Sequence, residues 1–169
     1  IQGVASMKAK PIRNIILRVI RRIIRCLILL LNLIVPKDND LFIFMSLPDY
    51  ADNTHALFTF MSSKLPYKRL TWLMENEVTA DNLVKKEHIA RSYKSVRGFW
   101  DFLRACCIIT SHNQLLNFKS KKQLYVALWH GMPLKKIEFM EDGTDTHRIR
   151  RTLDKINLLT ATSDTTSSL

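Results

Sequence analysis

Short apolar runs alternate with amphipathic stretches over most of this chain, and one long helical pattern precedes them. In residues 12–35 the apolar positions recur with a helical period, and Pro36 ends the pattern. Beyond residue 40 the apolar runs are four to six residues long, and none reaches twenty. Buried strands joined by helices produce such an alternation, so the pattern predicts one α/β domain behind an N-terminal helix.

The alternation predicts six strands and four helices after residue 40. The strands are expected at residues 41–45, 70–74, 88–92, 106–110, 124–128 and 158–162. The helices are expected at residues 55–64, 80–86, 98–105 and 148–156, and residues 36–40 are interpreted as a polar linker. Uniformly apolar strands separated by helices are typical of parallel sheets covered on both faces. The predicted fold class is therefore α/β, with a doubly wound parallel sheet.

Composition agrees with one folded domain in a reducing compartment. The chain has 169 residues, of which 47% are hydrophobic, with only 4 Gly and 5 Pro. These values exclude collagen-like and disordered classes. Three cysteines, two of them the neighbours Cys106 and Cys107, do not make a disulfide scaffold and favour a cytoplasmic location. We expect this cysteine pair to lie in the core.

The positive charge is concentrated in the N-terminal helix. The net charge is +11, and residues 1–36 hold seven of the 26 basic residues and none of the 15 acidic ones. At 100° per residue, six of the polar side chains of the helix fall within an arc of about 100°. That arc contains Asn14, Arg18, Arg21, Arg22, Arg25 and Asn32. The helix is predicted to begin near Pro11, and residues 1–6, before Met7, receive no structural weight.

Several interpretations of residues 1–36 compete. A membrane span needs roughly 20 apolar residues, whereas the longest uncharged run is residues 26–35. A signal peptide needs a small-residue cleavage site, and residues 35–38 do not provide one. A basic amphipathic helix lying on an anionic membrane surface fits both the arc and the charge, and we predict that role. A helix packed on the domain or on a partner protein is the alternative, and general nucleic-acid binding explains the charge poorly.

Polar residues follow most of the predicted strands, at the sheet edge where doubly wound folds bind ligands. They are residues 46–48, 75–76, 111–113, 129–131 and 163–164. Each alone could be an ordinary turn or helix cap. The five histidines lack the spacing of metal ligands, and the four glycines form no phosphate loop. No metal and no cofactor is therefore expected.

One segment at such a strand end combines groups that suit acid–base chemistry beside an anion. It reads Trp129, His130, Gly131, Met132, Pro133, Leu134, Lys135 and Lys136. The histidine can take up a proton near neutral pH, and the glycine lets a substrate approach the backbone. The proline fixes the exit of the loop, and the two lysines suit a phosphate group. On these residues alone, a capped loop with a structural histidine is the alternative.

The same segment resembles the signature of a known family. Residues 129–137, Trp-His-Gly-Met-Pro-Leu-Lys-Lys-Ile, are similar to the signature of the CDP-glycerol glycerophosphotransferases, the teichoic acid and capsule polymerases and primases. Weaker similarities lie in matching order along the chain. They are Ser46 with residues 50–53, and residues 66–73, 108–112 and 160–163. The resemblance extends from about residue 40 to the end.

The resemblance implies a fold, an activity and a set of site residues. Residues 37–169 would be the N-terminal, acceptor-side lobe of a two-lobed GT-B-type fold, without its C-terminal nucleotide-binding lobe. The implied reaction transfers glycerol phosphate, or a related alditol phosphate, from CDP-glycerol to a lipid-linked acceptor at the cytoplasmic face of the membrane. His130 matches the catalytic histidine of the family. The expected substrate-binding residues are Trp129, Gly131, Pro133, Lys135, Lys136, Asn53 and Ser163.

The sequence departs from the family pattern just after the signature. Glu138-Phe139-Met140 stands where the family usually has Gly-Phe-Asp, and Glu141 is the acid that could substitute. Two other functions stay open: a non-catalytic membrane-surface module that holds a phosphorylated lipid, and another GT-B glycosyltransferase. The residues do not distinguish glycerol from ribitol, primase from polymerase, or teichoic acid from capsule.

Overall fold

A computed structural model describes residues 2–75, 89–128 and 145–160. An N-terminal helix, α1 (Gln2–Ile34), precedes alternating strands and helices. The first half of the domain contains β1 (Asp38–Met45), α2 (Asp52–Lys64), β2 (Arg69–Met74) and β3 (Ala90–Ser92). The second half contains α3 (Val96–Arg104), β4 (Ala105–Thr110), a 3-10 turn (Leu116–Phe118), β5 (Leu124–Ala127), α4 (Thr146–Leu153) and β6 (Leu158–Leu159).

The strands form one six-stranded sheet, and every pair in it is parallel. The strand order is β3-β2-β1-β4-β5-β6, which confirms the predicted doubly wound sheet. Each face carries its own apolar cluster, one around Phe44 and Trp72 and the other around Ile43 and Tyr125. The strands are uniformly apolar because both faces are covered.

The polar linker predicted at residues 36–40 is wrong for its second half, because β1 already begins at Asp38. The Asp38 carboxylate forms ion pairs with Arg69 and with Arg104, whose Nη2 lies 3.0 Å away. Both arginines lie at the amino edge of the sheet, where β2 begins and α3 ends. Paired charges at a strand start resemble a linker in sequence, which explains the error.

The start predicted for the N-terminal helix is also wrong, because α1 begins at Gln2 and continues through Pro11. Proline removes one backbone hydrogen bond, but the surrounding Ala, Met and Lys residues favour a helix. The other predicted elements agree in type, with ends shifted by a few residues. The helix predicted at 80–86 and the end of the last strand, residues 161–162, lie outside the described residues.

α1 contacts the domain at its C-terminal turn. Asn32 is fully buried there, whereas every residue from 14 to 27 is exposed. The Asn32 amide Nδ2 donates to Gln123 Oε1 at 2.8 Å and to the carbonyl of Phe118 at 2.7 Å. Gln123 Nε2 in turn donates to the carbonyls of Phe102, at 2.7 Å, and Ala105, at 3.0 Å. Because the buried amides of Asn32 and Gln123 are hydrogen-bonded to each other and to backbone carbonyls of the domain, they fix the position of the helix.

None of the helices in the described part of the chain has the length and hydropathy that crossing a membrane requires.

Lys37 joins Asn32 and Gln123 in a buried polar cluster at the C-terminal turn of α1. Its ammonium donates to Asn32 Oδ1 and to the Asn32 carbonyl, both at 2.6 Å, and to the Leu103 carbonyl. The two carbonyls belong to the last turns of α1 and α3, where carbonyl oxygens need donors. Burial, with a further contribution from the nearby positive charge of Lys122, lowers the pKa of Lys37 to about 8.

Replacing Lys37 tests this cluster. In Lys37→Met the buried Asn32 Oδ1 loses its donor, so the free energy of unfolding in urea should fall by about 1–3 kcal/mol. The unfolded lysine titrates near 10.5 and the folded one near 8, so between these values the unfolded chain binds more protons. The stability of the wild type relative to the variant should therefore rise with pH across that window. Exposed Lys121→Met is the control, and a pH-independent difference would contradict the prediction.

Gly98 provides a second test, of how α3 packs on the sheet. It lies in the first turn of α3, and a Cβ built on it would lie 2.1 Å from the Ser92 carbonyl oxygen. Gly98→Ala should destabilise the protein by roughly 1–3 kcal/mol, although alanine has the better helix propensity. Exposed Arg97→Ala, one position earlier, should be nearly neutral. Equal urea midpoints for the two variants would refute the close approach.

Candidate functional site

The strand order reverses between β1 and β4, so a crevice is expected at the carboxyl ends of these two strands. Open parallel sheets bind their ligands at such a reversal, because the adjacent connections pass over opposite faces and leave a gap. Two loops border it: residues 46–53 after β1 and residues 111–115 after β4. We call this region the switch-point crevice.

The loop after β1 is organised by the buried hydroxyl of Ser46. Its Oγ donates to the carbonyl of Pro48 at 2.8 Å and accepts from the backbone N–H of Ala51 at 3.0 Å. These bonds fold the loop so that α2 begins directly beside the crevice. The residue before the helix is Ala51, which has no side chain to cap the first turn. The first N–H groups of α2 therefore lie at the crevice without a capping side chain from that position.

The loop after β4 is organised around Gln114 and His112. The Oε1 atom of Gln114 accepts from the Thr110 hydroxyl and from the backbone N–H of His112, the latter at 3.2 Å. The Gln114 carbonyl accepts from the hydroxyl of Tyr125 at 2.6 Å, and Tyr125 is part of the core. The Nδ1 atom of His112 lies 2.7 Å from Ser111 Oγ. Hydrogen bonds thus connect the backbone of His112 to the core through Gln114 and Tyr125, while Ser111 Oγ lies beside its imidazole.

Both loops contain unusual backbone conformations. Four non-glycine residues of the described chain have a positive φ: Tyr50 and Asp52 at 59°, Asn113 at 54° and Leu115 at 56°. Asn and Asp tolerate this region, but it is costly for Tyr and Leu. Such strain persists where surrounding contacts overdetermine the backbone, and it clusters at binding sites. Here all four residues lie on the two loops of the switch-point crevice.

Tyr50 forms an aromatic side of the crevice. Its ring lies 4.5 Å from that of His55 and 4.9 Å from that of Trp72, both in edge-on contacts. Burial raises the pKa of its phenol, so it stays neutral. The ring thus connects the loop to the apolar core and provides an uncharged surface beside the polar groups.

Charged groups form a rim where β2 and β3 end. The backbone N–H of Glu75 donates to both carboxylate oxygens of Asp49, at 3.1 and 3.2 Å. The Glu75 carboxylate accepts from Lys94 Nζ at 3.2 Å and from the Tyr93 hydroxyl at 3.3 Å. These bonds connect the ends of β2 and β3 to the loop after β1.

One predicted substrate-binding residue, Asn53, lies in the first turn of α2 at the crevice and is exposed. The other predicted site residues lie outside the described part of the chain. They are Trp129, His130, Gly131, Pro133, Lys135, Lys136 and Ser163. The chain leaves β5 towards the signature at buried Leu128, whose N–H donates to the Thr110 carbonyl at 2.7 Å. The parallel strand predicted before the signature is therefore confirmed, whereas the roles of these residues stay predictions.

Sequence reasoning named residues 111–113 as a polar strand end but missed the cluster they form with Gln114. The signal that could have found it is a run of four hydrogen-bonding side chains directly after a buried strand. Tyr50 was noted as part of a motif, without its aromatic contacts.

The described residues contain no group of three His, Cys, Asp or Glu side chains that could hold a metal ion. Cys107 is buried, as expected, and burial raises the pKa of its thiol to about 12. Burial also raises the pKa of the half-buried Cys106. Both thiols stay protonated and unreactive near neutral pH.

A parallel sheet in this order, with polar loops at its reversal, defines a Rossmann-type domain. Within that class, the chain belongs to the CDP-Glycerol:Poly(glycerophosphate) glycerophosphotransferase family, whose model matches residues 27–169. The family resemblance of the sequence is thereby confirmed. Among proteins with curated functions, none matches the chain significantly in sequence.

Solved structures of the wall teichoic acid polymerase TagF share the fold. One matches 97% of this chain with a TM-score of 0.65 and 18% identity, and this chain covers 43% of it. A histidine-substituted variant of TagF, soaked with CDPG for 15 minutes, matches 98% of this chain with a TM-score of 0.65 and 17% identity. The chain covers 45% of that structure, so it spans less than half of the TagF chains it matches.

Proposed function

We propose that this chain is the acceptor-side part of an enzyme that transfers glycerol phosphate, or a related alditol phosphate, from CDP-glycerol to a lipid-linked acceptor. Membership of the glycerophosphotransferase family over residues 27–169 is the observation that carries the proposal. The switch-point crevice supports it, because a ligand site is expected at that reversal. A further support is the TagF structure soaked with CDPG, because TagF has a similar fold and was studied with this class of donor.

In this proposal His130 is the general base. It removes the proton from the acceptor hydroxyl, and that oxygen forms a bond to the phosphorus bearing the glycerol. The bond from this phosphorus to the bridging oxygen of the nucleotide breaks, and CMP leaves with that oxygen. The transferred phosphoryl group carries negative charge throughout, which cations and hydrogen-bond donors stabilise.

The remaining predicted residues would bind the substrates. Lys135 and Lys136 follow the histidine closely and suit phosphate oxygens. Asn53, exposed in the first turn of α2, can hydrogen-bond a glycerol hydroxyl or a phosphate. The other residues proposed for substrate binding are Trp129, Gly131, Pro133 and Ser163.

Substituting His130 tests the catalytic proposal. In the natural protein, His130→Ala should reduce CMP release from CDP-glycerol by roughly two to four orders of magnitude, as expected for a lost general base. Its circular dichroism and thermal midpoint should stay close to the wild type. The exposed His147 on α4 provides the control, and His147→Ala should retain full turnover. A folded His130→Ala enzyme with near-normal turnover would remove the residue from the mechanism.

We also propose that α1 holds the protein on the cytoplasmic face of the membrane. Most large apolar side chains of α1 between residues 15 and 34 are exposed, for example 53% at Ile15 and 67% at Ile34. At 100° per residue, Arg18, Arg21 and Arg25 lie within about 40° of Asn32, which faces the domain. The apolar side therefore points away from the domain. A helix embedded in an anionic surface needs this arrangement, with apolar side chains in lipid and the domain in water.

Charge reversal tests the membrane proposal. Changing Arg18, Arg21, Arg22 and Arg25 to Glu should weaken sedimentation with anionic vesicles by roughly 10²–10³-fold at low salt, because each cation contributes to binding. High salt should weaken the wild type only partly, since apolar burial is not screened. The control reverses four exposed charges outside α1: Lys64, Arg97, Arg150 and Arg151. Equal loss in both variants would indicate non-specific charge attraction, and no loss in either would place the attachment elsewhere.

A further inference from the structure

The loop after β4 presents a histidine in a prearranged position at the switch-point crevice. His112 is half-buried, with its backbone N–H bonded to Thr110 Oγ1 at 3.1 Å and its Nδ1 2.7 Å from Ser111 Oγ. Thr110 is fully buried and Ser111 nearly so. The imidazole is thus oriented by neighbours that are themselves fixed in the core, as functional side chains need to be.

His112 also follows a strand that is paired with β5, the strand that precedes the signature segment in the sequence. β4 and β5 are parallel neighbours in which Thr110 pairs with Ala127. Neighbouring strands lie about 4.8 Å apart, so the chain segments that follow them leave the sheet side by side. His112 is the second residue after Thr110, and His130 is the third after Ala127. In the sequence, each of the two histidines therefore closely follows one of two adjacent parallel strands.

We propose that His112 is a second functional histidine of this enzyme and that its Nε2 hydrogen-bonds a phosphate oxygen of a glycerol phosphate unit. The inference rests on the proposed transferase function, which supplies the phosphate. Ser111 Oγ lies within hydrogen-bond distance of Nδ1 and so sets the ring orientation, and we therefore assign the ligand contact to the other ring nitrogen, Nε2. The strained backbone at Asn113 and Leu115 supports this role, because strain is retained where geometry serves a ligand.

The phosphate could belong to the donor, CDP-glycerol, or to the last unit of the acceptor. Both offer the same singly charged oxygens, and kinetics separates them. If His112 binds the donor, its loss raises KM for CDP-glycerol. If it binds the acceptor, its loss raises KM for a lipid-linked oligo(glycerol phosphate) and leaves the donor KM unchanged. A contact made only in the transition state would lower kcat instead.

Two substitutions separate this role from a purely structural one. His112→Asn retains a polar atom near the Nδ1 position that can bond Ser111, but it has nothing at the Nε2 position. His112→Gln places an amide nitrogen near Nε2. In the natural protein His112→Asn should lower kcat/KM by about 10–100-fold, the usual effect of a lost hydrogen bond to a charged group. His112→Gln should recover at least a tenth of the wild-type value, and His147→Asn should match the wild type.

The thermal midpoints of these variants should agree with the wild type, which excludes a folding defect. Normal kinetics for folded His112→Asn would overturn the proposal, because a histidine that only supports the loop behaves in that way. Equal losses in the Asn and Gln variants would also overturn it, since a hydrogen bond from Nε2 predicts recovery in Gln.

A binding measurement keeps the test independent of turnover. Titration of the natural protein with synthetic tri(glycerol phosphate) and, separately, with CDP-glycerol, followed by the histidine ring signals in NMR spectra, should shift the His112 resonance for the ligand whose phosphate it binds. His112→Asn should weaken the binding at least about tenfold. If the wild type shows this binding but no transfer from CDP-glycerol, the proposed function fails while the His112 site stands. If the trimer and CDP-glycerol both leave the His112 signal unmoved, the His112 proposal fails regardless of activity.

Discussion

The parallel pairing of β1 with β4 is the constraint on which the site depends. Its register runs from Phe42 opposite Cys107 to Met45 opposite Thr110, so both strands end at the same height. The backbone N–H of Ser111 then donates to the Met45 carbonyl at 3.4 Å, which brings the starts of the two loops together. A shift of one residue would turn the buried side chains to the opposite faces, so the cores on both faces enforce this register. The crevice is a consequence of that pairing.

The two edges of the sheet are organised by different physical means. At the amino edge, buried amides and the ammonium of Lys37 satisfy the ends of α1 and α3. At the carboxyl edge, strained loops present hydroxyls, a histidine and a carboxamide to a gap between strands. The six residues of β4 separate these edges by roughly 17 Å, since a parallel strand rises about 3.3 Å per residue. The side chains that attach the helix are therefore separate from those of the two loops at the proposed ligand site.

The sequence predicts this fold well where one physical signal dominates. Uniformly apolar strands reveal a sheet buried on both faces, and the polar residues after them mark the carboxyl edge, where we propose the ligand site. Prediction fails where the same residue type has two roles. Asp38 was assigned to a linker although it pairs with two arginines at the start of β1. The strained loops were missed because Tyr50 and Leu115 carry no sequence signal for a left-handed backbone, and Asp52 and Asn113 signal it far less strongly than glycine.

Asn32 shows that a side chain can belong to the polar arc of a helix in the sequence and still be buried in the fold. On the helix it lies in the same polar arc as the arginines, and by composition it belongs to a solvent-facing side. In the fold it is fully buried, and it bonds to Gln123 of the domain at 2.8 Å. An apolar residue at this position could pack with the helix in several rotations. The Asn32 amide donates two hydrogen bonds and accepts one from Lys37, so it fits only one rotation of the helix. The rotation of α1, and with it the direction of its apolar side, therefore follows from one buried polar residue.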